Sequence, residues 1–226
     1  MNSLVIIPAR AGSKGLKNKN FLKLNGKALI LHTVDEARKI FSDSEIYVST
    51  DSAKIKNIVE NSGLKVPFIR PSELATDFSS TMDVILHSLN HYLTINKKKP
   101  DKIILLQPTS PLRSSKHIKE ALNLFHNDLD LLVSVKETDS NPYYTLFEEN
   151  DLGYLFKLKS SNSTRRQDCN KVYEFNGAIY IYNTDSILSK SFNEFNKIVK
   201  YKMCKYSSID IDDKIDFLLA EILLKQ

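Results

Sequence analysis

An α/β domain built on a doubly wound, mainly parallel sheet is the fold this chain predicts, on three observations. Apolar segments alternate with segments of helical periodicity over most of the sequence. The apolar segments are continuous, as in strands covered on both faces. The 226 residues suffice for one such domain with a small inserted subdomain. In sheets of this kind ligands sit at the carboxyl ends of the strands.

Residues 4–7 form a buried strand that Pro8 stops. Over residues 26–40, Leu29, Ile30, Thr33, Val34 and Ala37 recur at helical spacing. Residues 45–49 are a short strand. Asp51 or Ser52 can cap the next helix, which runs to about Asn61 and is ended by Gly63. A third strand candidate, 66–69, precedes a polar loop over 70–76. In the helix 80–95, Val84, Ile85, Leu89 and Tyr92 share one face. Residues 102–106 are an apolar strand broken by Gln107-Pro108, 115–125 a helix, 130–135 a buried strand. Residues 177–182 return to the sheet, and 213–224 close the chain as an amphipathic helix.

Between about residues 137 and 175 the pattern changes. Residues 141–147 and 153–156 read as β segments around a polar turn at 148–151, too short and aromatic for a βαβ unit. Tyr and Phe enrich interface cores, so the excursion reads as a dimerisation arm inserted into a single domain spanning 1–226. A hairpin folded back on the parent domain is the alternative. Residues 160–169 form a polar loop.

Lysine and arginine outnumber aspartate and glutamate 32 to 27, a net charge of +5. That balance invites a nucleic-acid partner, but the sequence carries no helix-turn-helix signal, zinc-ligand spacing or aromatic RNA-binding motif. The surplus serves an anionic small substrate equally well. Cys169 and Cys204 give neither a disulfide framework nor a metal spacing and read as free thiols of a reducing compartment. With no leader pattern and no apolar run near 18 residues, a cytoplasmic location without membrane contact is expected.

Chemistry concentrates in four stretches. The first strand feeds directly into Ala9-Arg10-Ala11-Gly12-Ser13-Lys14-Gly15-Leu16-Lys17-Asn18-Lys19-Asn20. Its glycines permit a tight turn and close approach to a ligand, and Arg10, Lys14, Lys17 and Lys19 make it electropositive. Backbone N–H groups at Ala9, Gly12, Ser13 and Gly15 with fixed cations suit a nucleoside triphosphate. The spacing matches neither the Walker A nor the dinucleotide-binding pattern; a solvated basic turn is the alternative.

In the second stretch, Ser208-Ile209-Asp210-Ile211-Asp212-Asp213, an extended backbone projects Asp210 and Asp212 to one side. Their oxygens could grip one Mg²⁺ whose other positions go to phosphate and water. Helix capping by Asp212 or Asp213 is the alternative, and both can hold together. In the third, Gln107-Pro108-Thr109-Ser110-Pro111-Leu112-Arg113, two prolines fix the backbone and hold the Gln107 amide at the sheet edge, or simply make a rigid turn. In the fourth, Arg165-Arg166-Gln167-Asp168, the doubled arginine suits bidentate carboxylate recognition or is a surface charge run. His87 and His91, at i and i+4, read as helix packing.

Taken in order, IIPARAGSKG, KNKN, VSTDS, RPSELATD, LLQPTSPLR, RRQD, NGAIYI and SIDID resemble the acylneuraminate cytidylyltransferases, the CMP-sialic acid synthetases and their close relatives, over essentially the whole chain. The resemblance implies a doubly wound fold of nucleotidyltransferase type with a dimerisation arm, a homodimer, and a Mg²⁺-assisted reaction of CTP with a nonulosonic (sialic-type) 2-keto sugar acid to give CMP-sugar and pyrophosphate. It implies Arg10, Lys14 and Lys19 as catalytic cations on the triphosphate, and Asn20, Arg70 and Ser79 around the cytidine. Gln107, Arg166 and Tyr180 would line the sugar-acid site, and Asp210 and Asp212 would bind the metal. The chain departs from some bacterial members at Glu174-Phe175, where those carry a basic residue. The rival readings are a nucleotidyltransferase for another sugar or sugar phosphate, and a non-catalytic nucleotide-binding module.

Overall fold

A computed structural model of the chain describes residues 2–12, 15–160 and 165–225, and of Arg166 the backbone only. β1 (Ser3–Pro8) is followed by a small ribbon of β2 (Lys23–Leu24) and β3 (Lys27–Ala28), then α1 (Leu29–Arg38). Next come β4 (Ile46–Ser49), α2 (Ala53–Asn61), α3 (Thr81–Asn96), β5 (Lys102–Leu105), α4 (Ser115–Leu124) and β6 (Leu131–Glu137). A hairpin of β7 (Phe147–Glu149) and β8 (Leu155–Lys157) precedes the long β9 (Tyr173–Asn183), α5 (Thr184–Ser189), β10 (Ile198–Lys202) and α6 (Lys214–Leu223).

The central sheet has the order β10-β6-β9-β5-β1-β4. β1 runs parallel to β4 and β5, and β10 to β6, whereas β9 is antiparallel to both its neighbours. The sheet is thus mixed and mostly parallel. Its double covering follows from β1: Val5 and Ile7 pack with Ile30, Val34, Ile55, Val59 and Ile118 of α1, α2 and α4. Leu4 and Ile6, on the opposite face, pack with Ile85, Leu89 and Tyr92 of α3 and Ile187 of α5. Buried from both sides, Leu4 to Ile7 leave no position to spare for a polar residue. A third cluster, Leu24, Leu29, Ile211 and Ala220, seats α6 against the ribbon.

The expected strand at 66–69 does not form. Pro67 has no N–H to give a ladder, and the chain regains β4 only where the Arg70 N–H donates to the Thr50 carbonyl at 2.8 Å. β10 went unread in the sequence because it is an edge strand on which Tyr201 is the one buried residue. In the excursion, Glu137 pairs with Tyr173 at the base. The first expected β segment starts only at Phe147, because the Asn141 carbonyl takes the N–H groups of Tyr144, Thr145 and Leu146 in a turn. The β7–β8 hairpin is a separate two-stranded sheet that leaves Phe147, Tyr154, Leu155 and Phe156 exposed.

Candidate active site

The carboxyl ends of β1, β4 and β5 open on a cleft of about 360 Å³. Arg10, Gly15, Lys19 and Asn20 line it from the first loop, Arg70 and Ser79 from the loop before α3, Gln107 and Thr109 from the β5 exit, and Asp212 from the acidic segment.

The first loop is fastened at both ends. The Ala11 N–H donates to Asp51 Oδ1 at 2.8 Å, which settles the choice of cap on Ser52, whose hydroxyl accepts from the Ile55 N–H at 3.3 Å. Ala9 is fully buried and its N–H extends the β1–β4 ladder to the Ser49 carbonyl at 2.9 Å. It therefore lies beneath the cradle and has no N–H to offer a phosphate, against the expectation for it. Gly12 borders open space, whereas a side chain at Gly15 would run into the Asp212 carbonyl; here the glycine is required by close approach of two backbones. Ser13 and Lys14 lie outside the described residues.

The Lys19 ammonium donates to the Ile211 carbonyl at 2.7 Å and to Asp212 Oδ1 at 3.1 Å. Asn20 is buried; its Nδ2 donates to the Arg10 carbonyl at 3.0 Å, and its Oδ1 has no partner among the described residues. Arg10 Nη2 stands 2.7 Å from Asp77 Oδ1, an ion pair between the two loops. Arg70 is buried and donates from Nε to Ser49 Oγ at 3.0 Å and from Nη2 to the Ser49 carbonyl at 2.5 Å. Burial pulls its guanidinium down to about 10, which leaves it charged at neutral pH. Ser79 reaches the cleft, but its hydroxyl donates to the Glu73 carbonyl at 2.8 Å and so shapes its own loop.

In the acidic segment the capping reading is realised by Asp213. Asp213 caps α6, accepting from the Ile215 and Asp216 N–H groups at 2.7 and 3.0 Å. Asp216 Oδ2 in turn accepts from the Asp212 and Asp213 N–H groups at 3.0 and 3.1 Å. Asp210 and Asp212 are thereby left over. The Ile211 N–H donates to the Thr109 carbonyl at 2.8 Å, pinning the segment to the β5 exit. Burial pushes the Asp210 carboxyl up, the Thr109 hydroxyl opposes this, and Asp212 adds to it. Asp210 Oδ1 is buried without a hydrogen-bond partner among the described residues. No group of three His, Cys, Asp or Glu among those residues forms a metal site. A cation held by this pair would complete its shell from phosphate or water.

A second cavity of about 350 Å³ shares Ser80, Thr81 and Gln107 with the cleft and is walled by Phe175, Tyr180, Tyr182 and Phe192. Tyr180 sits opposite Leu105, two residues before Gln107, and burial followed by the nearby Asp210 charge raises its hydroxyl. The Arg166 side chain lies outside the described residues.

Gly177, missed in the sequence, sits beside Gln107, which lines both cavities. Its φ is +74°, and a Cβ there would stand 3.0 Å from Asp210 Oδ2 and 3.2 Å from Gln107 Oε1. A glycine inside a strand pattern signals a bulge or close approach, and the β6–β9 register does shift between Val133 and Val135. Asp51, Asp77 and Thr109 were also missed as site residues, each being a polar loop residue whose partner is distant in sequence.

A family model for cytidylyltransferases matches residues 4–220. The chain is 38% identical over 224 residues to the N-acylneuraminate cytidylyltransferase of Streptococcus agalactiae serotype V, covering 96% of this chain and 52% of that protein. It thus spans about half the length of the first curated relatives it matches. It is 35% identical over 229 residues to the CMP-N,N'-diacetyllegionaminic acid synthase of Legionella pneumophila, covering 100% and 97%. To the pseudaminic acid cytidylyltransferase of Campylobacter jejuni it is 30% identical over 228 residues, covering 100% and 97%. Among solved structures, a CMP:2-keto-3-deoxy-manno-octonic acid synthetase complexed with CTP has the same fold, with a TM-score of 0.73 at 20% identity, covering 100% and 99%.

Proposed function

The chain belongs to the cytidylyltransferase family, and from that premise we propose that it joins CTP to a nonulosonic, sialic-type 2-keto sugar acid, giving the CMP-sugar and pyrophosphate. The observation that carries this reading is the meeting of Lys19 with Asp212 in one cleft, which adjoins the Tyr180 cavity through Gln107. A cationic strand exit that shares its crevice with Asp212, with Asp210 two residues away, suits a nucleoside triphosphate and its cation.

In the proposed reaction the anomeric hydroxyl of the sugar acid attacks the α-phosphorus. A new P–O bond forms, the bond to the β-phosphate oxygen breaks, the hydroxyl proton is lost, and pyrophosphate leaves. Positioning and charge stabilisation supply most of the acceleration in such transfers. Arg10 and Lys19 offset the charge of the triphosphate and the leaving group, with Lys14 in the same role by resemblance. A polyphosphate competes with Asp77 for Arg10. The unpartnered Asn20 Oδ1 offers an acceptor to an exocyclic amine, which cytosine has and uracil lacks. Gln107 and Tyr180 line the sugar-acid side, with Arg166 by resemblance.

Asp210 and Asp212 would hold Mg²⁺. The donor set fits: two carboxylates on one segment, one with a buried oxygen unpaired among the described residues and a charge that burial disfavours. When bound, Mg²⁺ neutralises phosphate oxygens. A homodimer formed through the arm, whose exposed Phe147, Leu155 and Phe156 suit an interface core, belongs to the same proposal. So does a cytoplasmic location, which the two free cysteines suit; among the described residues no helix is long and apolar enough to cross a membrane.

A pyrophosphate-release panel tests the proposal, crossing the four nucleoside triphosphates with N-acetylneuraminate, legionaminate, pseudaminate, an octulosonic acid and a neutral sugar phosphate. Turnover with CTP and a nonulosonic acid, dependent on Mg²⁺, is expected. Turnover with the sugar phosphate alone, or none, would contradict it.

A further inference from the structure

We propose that Arg113 is a positioning residue that clamps the sugar-acid cavity in register with the acidic pair; this rests on the cytidylyl-transfer reading. Its side chain is 1% exposed, among the largest fully buried in the protein. Nη1 donates to the carbonyls of Gln107 and Ala178, both at 3.0 Å, and Nη2 to Thr33 Oγ1 at 2.7 Å. Nε has no partner among the described residues. Glu36 acts on the guanidinium only through its charge, its Oε2 being taken by the Ser115 N–H. A buried cation without a bonded carboxylate weakens a core that an apolar side chain of similar volume would fill better.

What the charge holds is informative. Gln107 is the last residue out of β5 before the proline turn and lines both cavities. Ala178 follows Gly177, where a Cβ would crowd Asp210 and the Gln107 amide. One guanidinium therefore fixes the β5 exit to the bend of β9 at the point where the two cavities touch. Asn176 completes the clamp from the other side. Its Oδ1 accepts from the Ala178 N–H at 3.2 Å and Ser134 Oγ at 2.6 Å, and its Nδ2 donates to Ser208 Oγ at 2.9 Å, two residues before Asp210. A lysine keeps the charge but cannot present a planar fork to two carbonyls and a hydroxyl together.

Most of the nucleotide side of the cleft stands on β1 and β4, through the loop held by Asp51 and through Arg70 held by Ser49, and Gln107 to Thr109 reach it from the clamped strand exit. Loosening the clamp therefore disturbs sugar-acid use far more than CTP binding. A merely structural role would lower stability and weaken both substrates together.

The test uses Arg113→Lys and Arg113→Met in the full chain. CTP affinity is measured by calorimetry without sugar acid, kcat and KM for the sugar acid by pyrophosphate release, and Tm alongside. In Arg113→Met, CTP affinity is expected within about threefold of wild type and kcat/KM for the sugar acid reduced roughly 30-fold or more, with Arg113→Lys intermediate. Should neither variant fold, Thr33→Val, which removes one anchor and keeps the charge, is expected to show the same split at roughly 3- to 10-fold. Folded variants with wild-type kcat/KM for the sugar acid, or with CTP and sugar-acid use lost in proportion, would overturn the clamp. Absence of turnover in the wild type strikes the cytidylyl-transfer reading instead, and direct calorimetric binding of the sugar acid to wild type and variants then decides the clamp.

Discussion

Lys19 and Asp212 are joined across the cleft, ammonium to carboxylate oxygen at 3.1 Å, with the Ile211 carbonyl 2.7 Å from the same nitrogen. The exit of the first strand and the approach to the last helix thus form one electrostatic unit. Removing a charge-assisted hydrogen bond costs about 1.5–3 kcal/mol. Lys19→Met is accordingly predicted to lower kcat/KM for CTP roughly 10- to 100-fold, measured by pyrophosphate release at saturating sugar acid. An unchanged value would remove Lys19 from the triphosphate.

Asp210 holds a buried oxygen without a hydrogen-bond partner among the described residues, beside a second carboxylate. The double change Asp210→Asn and Asp212→Asn is predicted to abolish Mg²⁺-dependent pyrophosphate release. In chelator-treated buffer the same protein is predicted to melt close to wild type, the lost Lys19–Asp212 ion pair, exposed on the carboxylate side, being offset by relief of repulsion between the two carboxylates. Retained turnover would detach the pair from the metal; a collapse in Tm would make it structural.

Asp130 gives the pH dependence. The Lys190 ammonium and the Ser186 hydroxyl, at 2.7 and 2.6 Å, hold its carboxyl well below the usual carboxylate range, helped by the Asn196 and Lys197 N–H groups. The folded value lies below the unfolded one of about 3.9. Its stabilisation is therefore complete above that pH and is lost as pH falls below it toward the folded value. Asp130→Asn is predicted to lower Tm at pH 7 and to flatten the acid limb of Tm against pH. An acid limb as steep as that of wild type would count against this.

The β7–β8 hairpin exposes Phe147, Leu155 and Phe156. Sedimentation is predicted to find a dimer, and Phe147→Lys with Phe156→Lys a folded monomer. A wild-type monomer would leave the arm without its proposed role.

Much of this was legible in the sequence because the relevant forces are local or periodic. Leu4 to Ile7 had to be covered on both sides, so the layering followed from four apolar residues in a row. The capping reading of the acidic segment excludes no other, because Asp213 alone takes the cap and leaves Asp210 and Asp212 over. What escaped depended on contacts distant along the chain. Nothing near Arg113 announces that it bonds Ala178, and nothing near Gly177 announces that Asp210 leaves no room for a Cβ there. Pro67 was a local warning that the apolar 66–69 run could not ladder. Ala9 looked like part of the cradle because its neighbours are, but its N–H was already committed to Ser49.

The most direct test of the central claim follows the phosphorus. With CTP labelled at the α-position and a nonulosonic acid, label is predicted to pass into an acidic sugar conjugate while unlabelled pyrophosphate is released in equal amount. Label that stays with free nucleotide, or transfer of label from the γ-position instead, would contradict cytidylyl transfer.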